Sequence, residues 1–403
     1  MSRKYNGEGT IYPVYTKDKN SKNTKKIKHW VGQVSIGVDS TGRLKRKSVY
    51  GATREIVKNK IIQIQADINN LEYVDKNSIT LKTIIDNLIE QEYKANKISD
   101  VTYIRKKNTA KLASRLDCIN KPIQSITRNE INNDMLILNT YAQSTINKVY
   151  ELIAIAYNEA VLDGILKNSP FYIKNNIIKP KSLKKTKKVD ALTIDEQKAF
   201  LSELSKNYDI YNDVFYIAIY TGMRVGEILA LQVSDIDFNT RFINVKRTIT
   251  KDLDDRPKLN DRTKTFAGER EIPIVDELFP ILLKYKNKSG LLFTYDGKLI
   301  HPSIINSHFK RLCKNAGIRL VKVNSSKSNK SGTKIKINSS NVNTHMLRHT
   351  FATRCIEAGI SAVVLAKILG HADVQVTLNT YTDVFNKFKE SEFKKINNYF
   401  KNL

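Results

Sequence analysis

Between Trp30 and Asp39, Trp30, Val34, Ile36 and Val38 alternate with Val31, Gln33, Ser35 and Asp39, the period-two pattern of a half-buried β-strand. Asp39-Ser40-Thr41-Gly42 offers a turn into a second strand, Arg43 to Tyr50, and an earlier strand fits Gly9 to Thr16. Past Thr53, a helix N-cap candidate, the period changes: Val57, Ile61, Ile64, Ile68 and Leu71 recur at helical spacing and cover one face. The pattern predicts a small α+β domain over residues 1–73, a three-stranded sheet backed by one helix.

Residues 78–173 carry helical periodicity alone. Leu81, Ile84, Ile85 and Leu88 open this all-α domain, and Val149, Leu152, Ile153, Ala156 and Val161 mark a late amphipathic helix that ends near Gly164, before Pro170. Residues 174–190 follow as a linker too charged to pack, with Lys179, Lys181, Lys184, Lys185, Lys187 and Lys188; it suits a path along a phosphate backbone and equally a contact-free tether. Thr193-Ile194-Asp195-Glu196 has the form of a capping box and opens the last domain, 191–403, mainly α with a small β-sheet.

Composition changes this picture in one respect. In 403 residues, 68 Lys and Arg stand against 40 Asp and Glu, a formal net charge of +28. Such an excess points to a polyanionic partner, DNA or RNA, although a lysine-rich codon bias gives the same number. Lys25, Lys26, Lys28, Arg43, Lys45, Arg46 and Lys47 lie on or beside the predicted strands, where a sheet can enter a groove; a solvated surface has the same composition. The first residues lack an apolar signal region and no stretch reaches the ~20 apolar residues of a membrane helix, so a cytoplasmic protein without membrane contact is expected. Cys118, Cys313 and Cys355 are scattered, without a CxxC pair, and read as reduced packing residues.

Residues with chemical content lie beyond position 220. In Thr221-Gly222-Met223-Arg224-Val225-Gly226-Glu227, a glycine turn precedes a helix that sets Arg224 and Glu227 at i and i+3, which is also the spacing of an ordinary ion pair. Arg262-Thr263-Lys264-Thr265 and Arg270-Glu271-Ile272-Pro273-Ile274 flank Phe266-Ala267-Gly268-Glu269 as a hairpin would. In Thr344-His345-Met346-Leu347-Arg348-His349, helical spacing gives His345 and Arg348 one face while Leu347, Phe351 and Cys355 turn inward. Gly359 ends that helix, Ser361 caps another through Leu369, and Gly370-His371 follows. Tyr381 stands ten positions later. One tyrosine among 19 says nothing; the order Arg, Lys, His-x-x-Arg, Gly-His, Tyr discriminates.

That order resembles the tyrosine recombinases, the phage-type integrases. Thr221 to Asp237 looks like the family's first arginine box and His345 to Tyr381 like its second. Met346 stands where Asp is frequent, and Val321 to Asn343 is a Ser/Asn/Lys-rich insertion before the second box. The resemblance implies a site-specific recombinase that cleaves and rejoins double-stranded DNA through a 3′-phosphotyrosyl link. Tyr381 would be the nucleophile, with Arg224, Arg348 and His371 around the phosphate, His345 as proton acceptor, Lys264 as general acid and Glu227 supporting Arg224. No metal, ATP or other cofactor is implied, and the sequence has neither a P-loop nor a metal-binding carboxylate cluster. By the same likeness the first domain is an arm-type and the second a core-type DNA-binding domain. Assembly would be a tetramer on DNA, its tail from Phe385 docked on a neighbouring subunit or packed on its own domain. An excisionase and a DNA-bending host protein are the implied accessory partners. The leading expectation is an integrase that inserts and excises a mobile element. A chromosome-dimer resolvase, a type IB topoisomerase and a DNA-binding relative that has lost catalysis are the alternatives.

Overall fold

The computed structural model describes residues 9–16, 27–38, 43–69, 78–173, 176–184, 191–206, 209–261, 268–324, 333–337, 342–382, 384–385 and 399–401. The chain divides into two compact units, Met1–Ala95 with Lys106–Lys184, and Asn96–Arg105 with Lys185–Leu403.

The first unit opens with an antiparallel sheet in the order β1 (Thr10–Tyr15), β2 (Ile27–Val38), β3 (Leu44–Gly51), followed by helix α1 (Arg54–Asn69). The Thr53 hydroxyl accepts the Ile56 N–H, so the expected cap forms. Val57 and Ile61 of α1 are buried against Val34, with Ile11, Trp30, Ile36 and Val49 beside them. On the opposite face the register aligns Tyr12, Val31 and Tyr50 across the strands, and Ser35 beside Arg46. Lys28, Arg43, Lys45 and Arg46 are exposed and Lys47 is half-buried. Lys25, Lys26 and the Asp39–Gly42 turn lie outside the described residues.

The helical part comprises α2 (Leu81–Lys94), α3 (Asp100–Ala113), α4 (Arg128–Ile137) and α5 (Gln143–Leu162), with the boundary between units running through α3. Leu81, Ile84, Ile85 and Ile89 of α2 are buried, as are Ile146, Val149, Leu152, Ile153 and Ala156 of α5, and the two helices pack together. Ile89, not Leu88, completes the buried stripe; Leu88 is half-buried at its margin. Gly164, in the left-handed region at φ 68, follows the end of α5. Of the linker lysines, Lys184 is exposed, while Lys185, Lys187 and Lys188 lie outside the described residues.

In the second unit, Thr193 and Glu196 exchange the hydrogen bonds of a capping box at the start of α6 (Ile194–Lys206). Helices α7 (Ile210–Thr221) and α8 (Val225–Leu229) follow, then strands β4 (Ile236–Asp237), β5 (Phe242–Val245), β6 (Thr248–Lys251), β7 (Pro257–Asn260) and β8 (Arg270–Pro273). Helices α9 (Phe279–Leu283) and α10 (Pro302–Asn315), strands β9 (Leu320–Asn324) and β10 (Thr333–Ile337), and helices α11 (His345–Glu357), α12 (Ala362–Leu369) and α13 (Val374–Thr380) complete it. Helix α7 is buried nearly all round and packs on α11, and its Phe215 meets Phe200 and Phe309 in the core. Among its buried polar residues, Asp213 accepts the Tyr285 hydroxyl at 2.8 Å, Asn212 donates to the Leu204 carbonyl at 3.0 Å and Thr221 donates to the Ile217 carbonyl at 2.5 Å.

Four sequence expectations are refined by the fold. Arg270–Pro273 is a strand, but its described partner is β5, and residues 262–267, including Lys264, lie outside the described residues. The insertion before the second box holds an antiparallel ribbon, β9 with β10. Met346 is fully buried in the main core, which explains why an apolar residue stands there. Phe385 packs partly against the domain's own core beside Tyr381, whereas Tyr399 and Phe400 are both 66% exposed.

Candidate active site

Helix α7 stops at Gly222, which takes the left-handed conformation (φ 65) that glycine tolerates and other residues rarely adopt. A Cβ there would lie 2.5 Å from Phe351 Cδ1 and 2.9 Å from Leu369 Cδ2, so glycine also lets this turn approach α11 and α12. The turn delivers Arg224 to the N-cap of α8, where its side chain is 44% exposed. Glu227 folds back on it: Oε1 accepts Arg224 Nη1 at 2.8 Å and Oε2 accepts the Arg224 backbone N–H at 3.0 Å. Oε2 also accepts Arg270 Nη2 at 2.9 Å from β8. Burial alone would raise the Glu227 carboxyl, but Arg270 and Arg224 outweigh it and hold the group below the ordinary carboxylate range.

Arg348 on α11 is only 2% exposed, a costly place for a charge unless its N–H groups are paired. Its Nη1 donates to the Gly222 carbonyl at 2.9 Å and its Nη2 to the Leu369 carbonyl at 2.7 Å. Nη2 also lies 2.9 Å from His371 Nε2. Arginine has no acceptor, so His371 Nε2 must receive this bond, and the neutral ring then carries its proton on Nδ1, 2.7 Å from the Thr377 hydroxyl. Arg270 reaches the same turn of α12, donating to the Ile368 carbonyl at 2.6 Å. The negative end of α12 thus holds two guanidinium groups from two other elements.

Tyr381 follows α13, its N–H bonded to the Thr377 carbonyl at 3.1 Å. The ring is 5% exposed and packs in a cluster with Ala352, Cys355, Ile356, Leu365 and Leu369. Burial pushes the phenol up to about 12 while nearby Arg348 draws it down, so it is protonated at neutral pH. The ring meets the His349 ring edge to face (centroids 5.6 Å apart), and His349 in turn meets His345 at 4.9 Å. His345 has a solvent-facing side, yet its crowded surroundings disfavour the charged form and His349, Arg348, Arg224 and His371 add to this. Its pKa is pushed down to about 4. His371 is pushed down to about 4 as well, by burial first and then by Arg348 and Arg224.

Arg224, Glu227, His345, Arg348, His371 and Tyr381 therefore converge from α8, α11, the α12 end and α13. His371, expected to face a phosphate directly, here presents its lone pair to Arg348. Sequence reasoning passed over Arg270, His349 and Thr377. His349 was within reach as the i+4 neighbour of His345. Arg270 and Thr377 gave no local signal, because their partners are Glu227 and His371 across the fold.

An anchored guanidinium pair, uncharged imidazoles and a phenol brought together suit attack of a tyrosine on a phosphodiester, with the growing charge met by arginine. Residues 190–387 match the phage integrase family, and the chain belongs to it. It is an enzyme of the tyrosine site-specific recombinase type. Among relatives it is 25% identical over 396 residues to a XerC-like tyrosine recombinase of Caldanaerobacter subterraneus, covering 91% of this chain and 95% of that one. It is 26% identical over 379 residues to the ICEBs1 integrase of Bacillus subtilis, covering 89% and 94%. Among solved structures, the Tn1549 transposon integrase in complex with transposon right end DNA shares the fold, with a TM-score of 0.63 at 20% identity, covering 79% of this chain and 99% of that one. Among the described residues no helix is long and apolar enough to cross a membrane.

Proposed function

We propose that the protein is the integrase of a mobile element, cutting and rejoining DNA strands to insert and excise it. The observation that carries this reading is the buried Arg348, tied to both boxes and close enough to Tyr381 to act on its phenol. In the reaction, Tyr381 Oη attacks phosphorus, the bond to the 5′ oxygen breaks, and a 3′-phosphotyrosyl link forms. The phenolic proton passes to His345, which is neutral at working pH. Arg224 and Arg348 meet the charge that develops on the non-bridging oxygens, and Lys264 returns a proton to the leaving 5′ oxygen. Because the link keeps the energy of the phosphodiester, a hydroxyl from a second strand reverses the step on a new partner.

The N-terminal sheet, with Lys28, Arg43, Lys45 and Arg46 exposed, is assigned to arm-type sites, and helices α2–α5 to core-type sites. Assembly to a tetramer on DNA, with help from an excisionase and a DNA-bending protein, completes the reading. The test is a nicked duplex carrying the joined ends of the element, which traps the covalent adduct on a denaturing gel. Tyr381→Phe binds this duplex and forms no adduct; an adduct that survives the substitution removes the assignment.

A further inference from the structure

Thr377 stands on α13 one helical turn before Tyr381 and is fully buried, with 0% exposure. A buried threonine needs a partner for its hydroxyl, and this one faces His371 Nδ1 at 2.7 Å. Since Arg348 can only donate, the imidazole must accept at Nε2 and donate at Nδ1, so the Thr377 oxygen receives the proton that fixes the ring's tautomer. The same residue's carbonyl accepts the Tyr381 N–H at 3.1 Å. A continuous series of bonds thus runs from the guanidinium through His371 and Thr377 to the backbone of the tyrosine.

We propose that Thr377 is a positioning residue for strand cleavage: its hydroxyl selects the His371 tautomer that aims Arg348, and its carbonyl sets the approach of Tyr381, so that phosphate clamp and nucleophile are aligned by one side chain and one peptide. Without that hydroxyl, the Nδ1–H loses its acceptor. The alternative tautomer then turns an N–H toward the Arg348 Nη2–H, donor against donor, and the guanidinium must swing away. This inference rests on the roles given above to Arg348 and Tyr381.

Two measurements test it. With only six histidines in the chain, long-range ¹⁵N spectra of the full-length protein, with His371→Gln for assignment, report the ring directly. The expected result is a protonated Nδ1 and an unprotonated Nε2 at pH 7; a proton on Nε2, or on both nitrogens, overturns the proposal. In single-turnover cleavage of the nicked duplex, Thr377→Val should bind DNA within about twofold of the parent. Its adduct should form on the order of 10–100-fold more slowly, taking as the scale the cost of removing the partner behind a metal-bound imidazole. Thr377→Ser, which keeps the hydroxyl, should return to within about threefold. Parental speed in Thr377→Val, or no recovery in Thr377→Ser, overturns the proposal; if the valine variant does not fold, the spectrum of the parent decides. Tyr381→Phe run alongside separates the failures: an adduct there ends the nucleophile assignment, whereas an inactive Tyr381→Phe beside a fully active Thr377→Val ends only the role of Thr377.

Discussion

Arg46 on β3 and Arg348 on α11 carry the same group in opposite surroundings. Arg46 is exposed on the open face of the small sheet, across from Ser35. Arg348 is buried, with the carbonyls of Gly222 and Leu369 and the ring of His371 around it. An exposed charge acts on DNA through displaced counterions, tolerates imprecise placement and fades with salt. A buried one is aimed before any ligand arrives and, in return, the fold depends on its remaining paired. On the proposed reading, the N-terminal sheet holds DNA and the site around Arg348 transforms it.

The largest effect that tests this contrast belongs to Arg348→Ala. Cleavage should fall by at least ~10²–10³-fold, and stability should drop by about 1–3 kcal/mol for each buried acceptor left without its donor. DNA affinity should change little. Adduct formation is read on the nicked duplex and stability by denaturant titration; an Arg348→Ala chain as stable as the parent would show that the guanidinium is not built into the fold.

An intermediate effect is expected from acid. His345 and His371 sit at about 4 in the folded chain, against an ordinary value of 6.5. As pH falls through 6.5 the unfolded chain takes up these protons first, so stability is full above that pH and declines toward 4. Thermal unfolding midpoints from pH 7.5 to 4.5 should trace this slope, and His345→Gln combined with His371→Gln should flatten it. An unaltered slope would place the acid sensitivity elsewhere.

The smallest effect is Arg46→Ala. Its affinity for an arm-type duplex should fall evenly across sequences, and the slope of log K against log salt should shrink by about 0.9 for one lost phosphate contact. Cleavage of DNA already bound should be untouched. A cleavage defect at saturating DNA would blur the division between the two regions.

Much of this was legible in the sequence where the physics is local. Thr53, the Thr193/Glu196 pair and Ser361 cap the helices their spacing predicts. Gly222 ends α7 ahead of Arg224 as the turn requires, because a helix stop and a left-handed residue are properties of a few neighbouring positions. Of the residues in the order from Arg224 to Tyr381, the fold gathers Arg224, His345, Arg348, His371 and Tyr381, while Lys264 lies outside the described residues. What stayed hidden depends on distant partners. The Arg270 strand was readable, but not its pairing with β5 or its bond to Glu227. His371 looked like a phosphate donor because sequence does not reveal which of its nitrogens Arg348 occupies.

The last turn of α12 carries a further consequence. Its peptide oxygens at Ile368 and Leu369 hold Arg270 and Arg348, and Gly370 (φ 69) releases the chain immediately afterwards. On this helix both arginines take their bearing from chain length, because what they grip in α12 is backbone and not side chains. Exchanging one apolar residue for another in this helix leaves those oxygens where they are. Inserting or deleting a single residue between Ser361 and Gly370 rotates them by about 100° around the axis, so descendants of this enzyme are free to vary the composition of α12 but not its length.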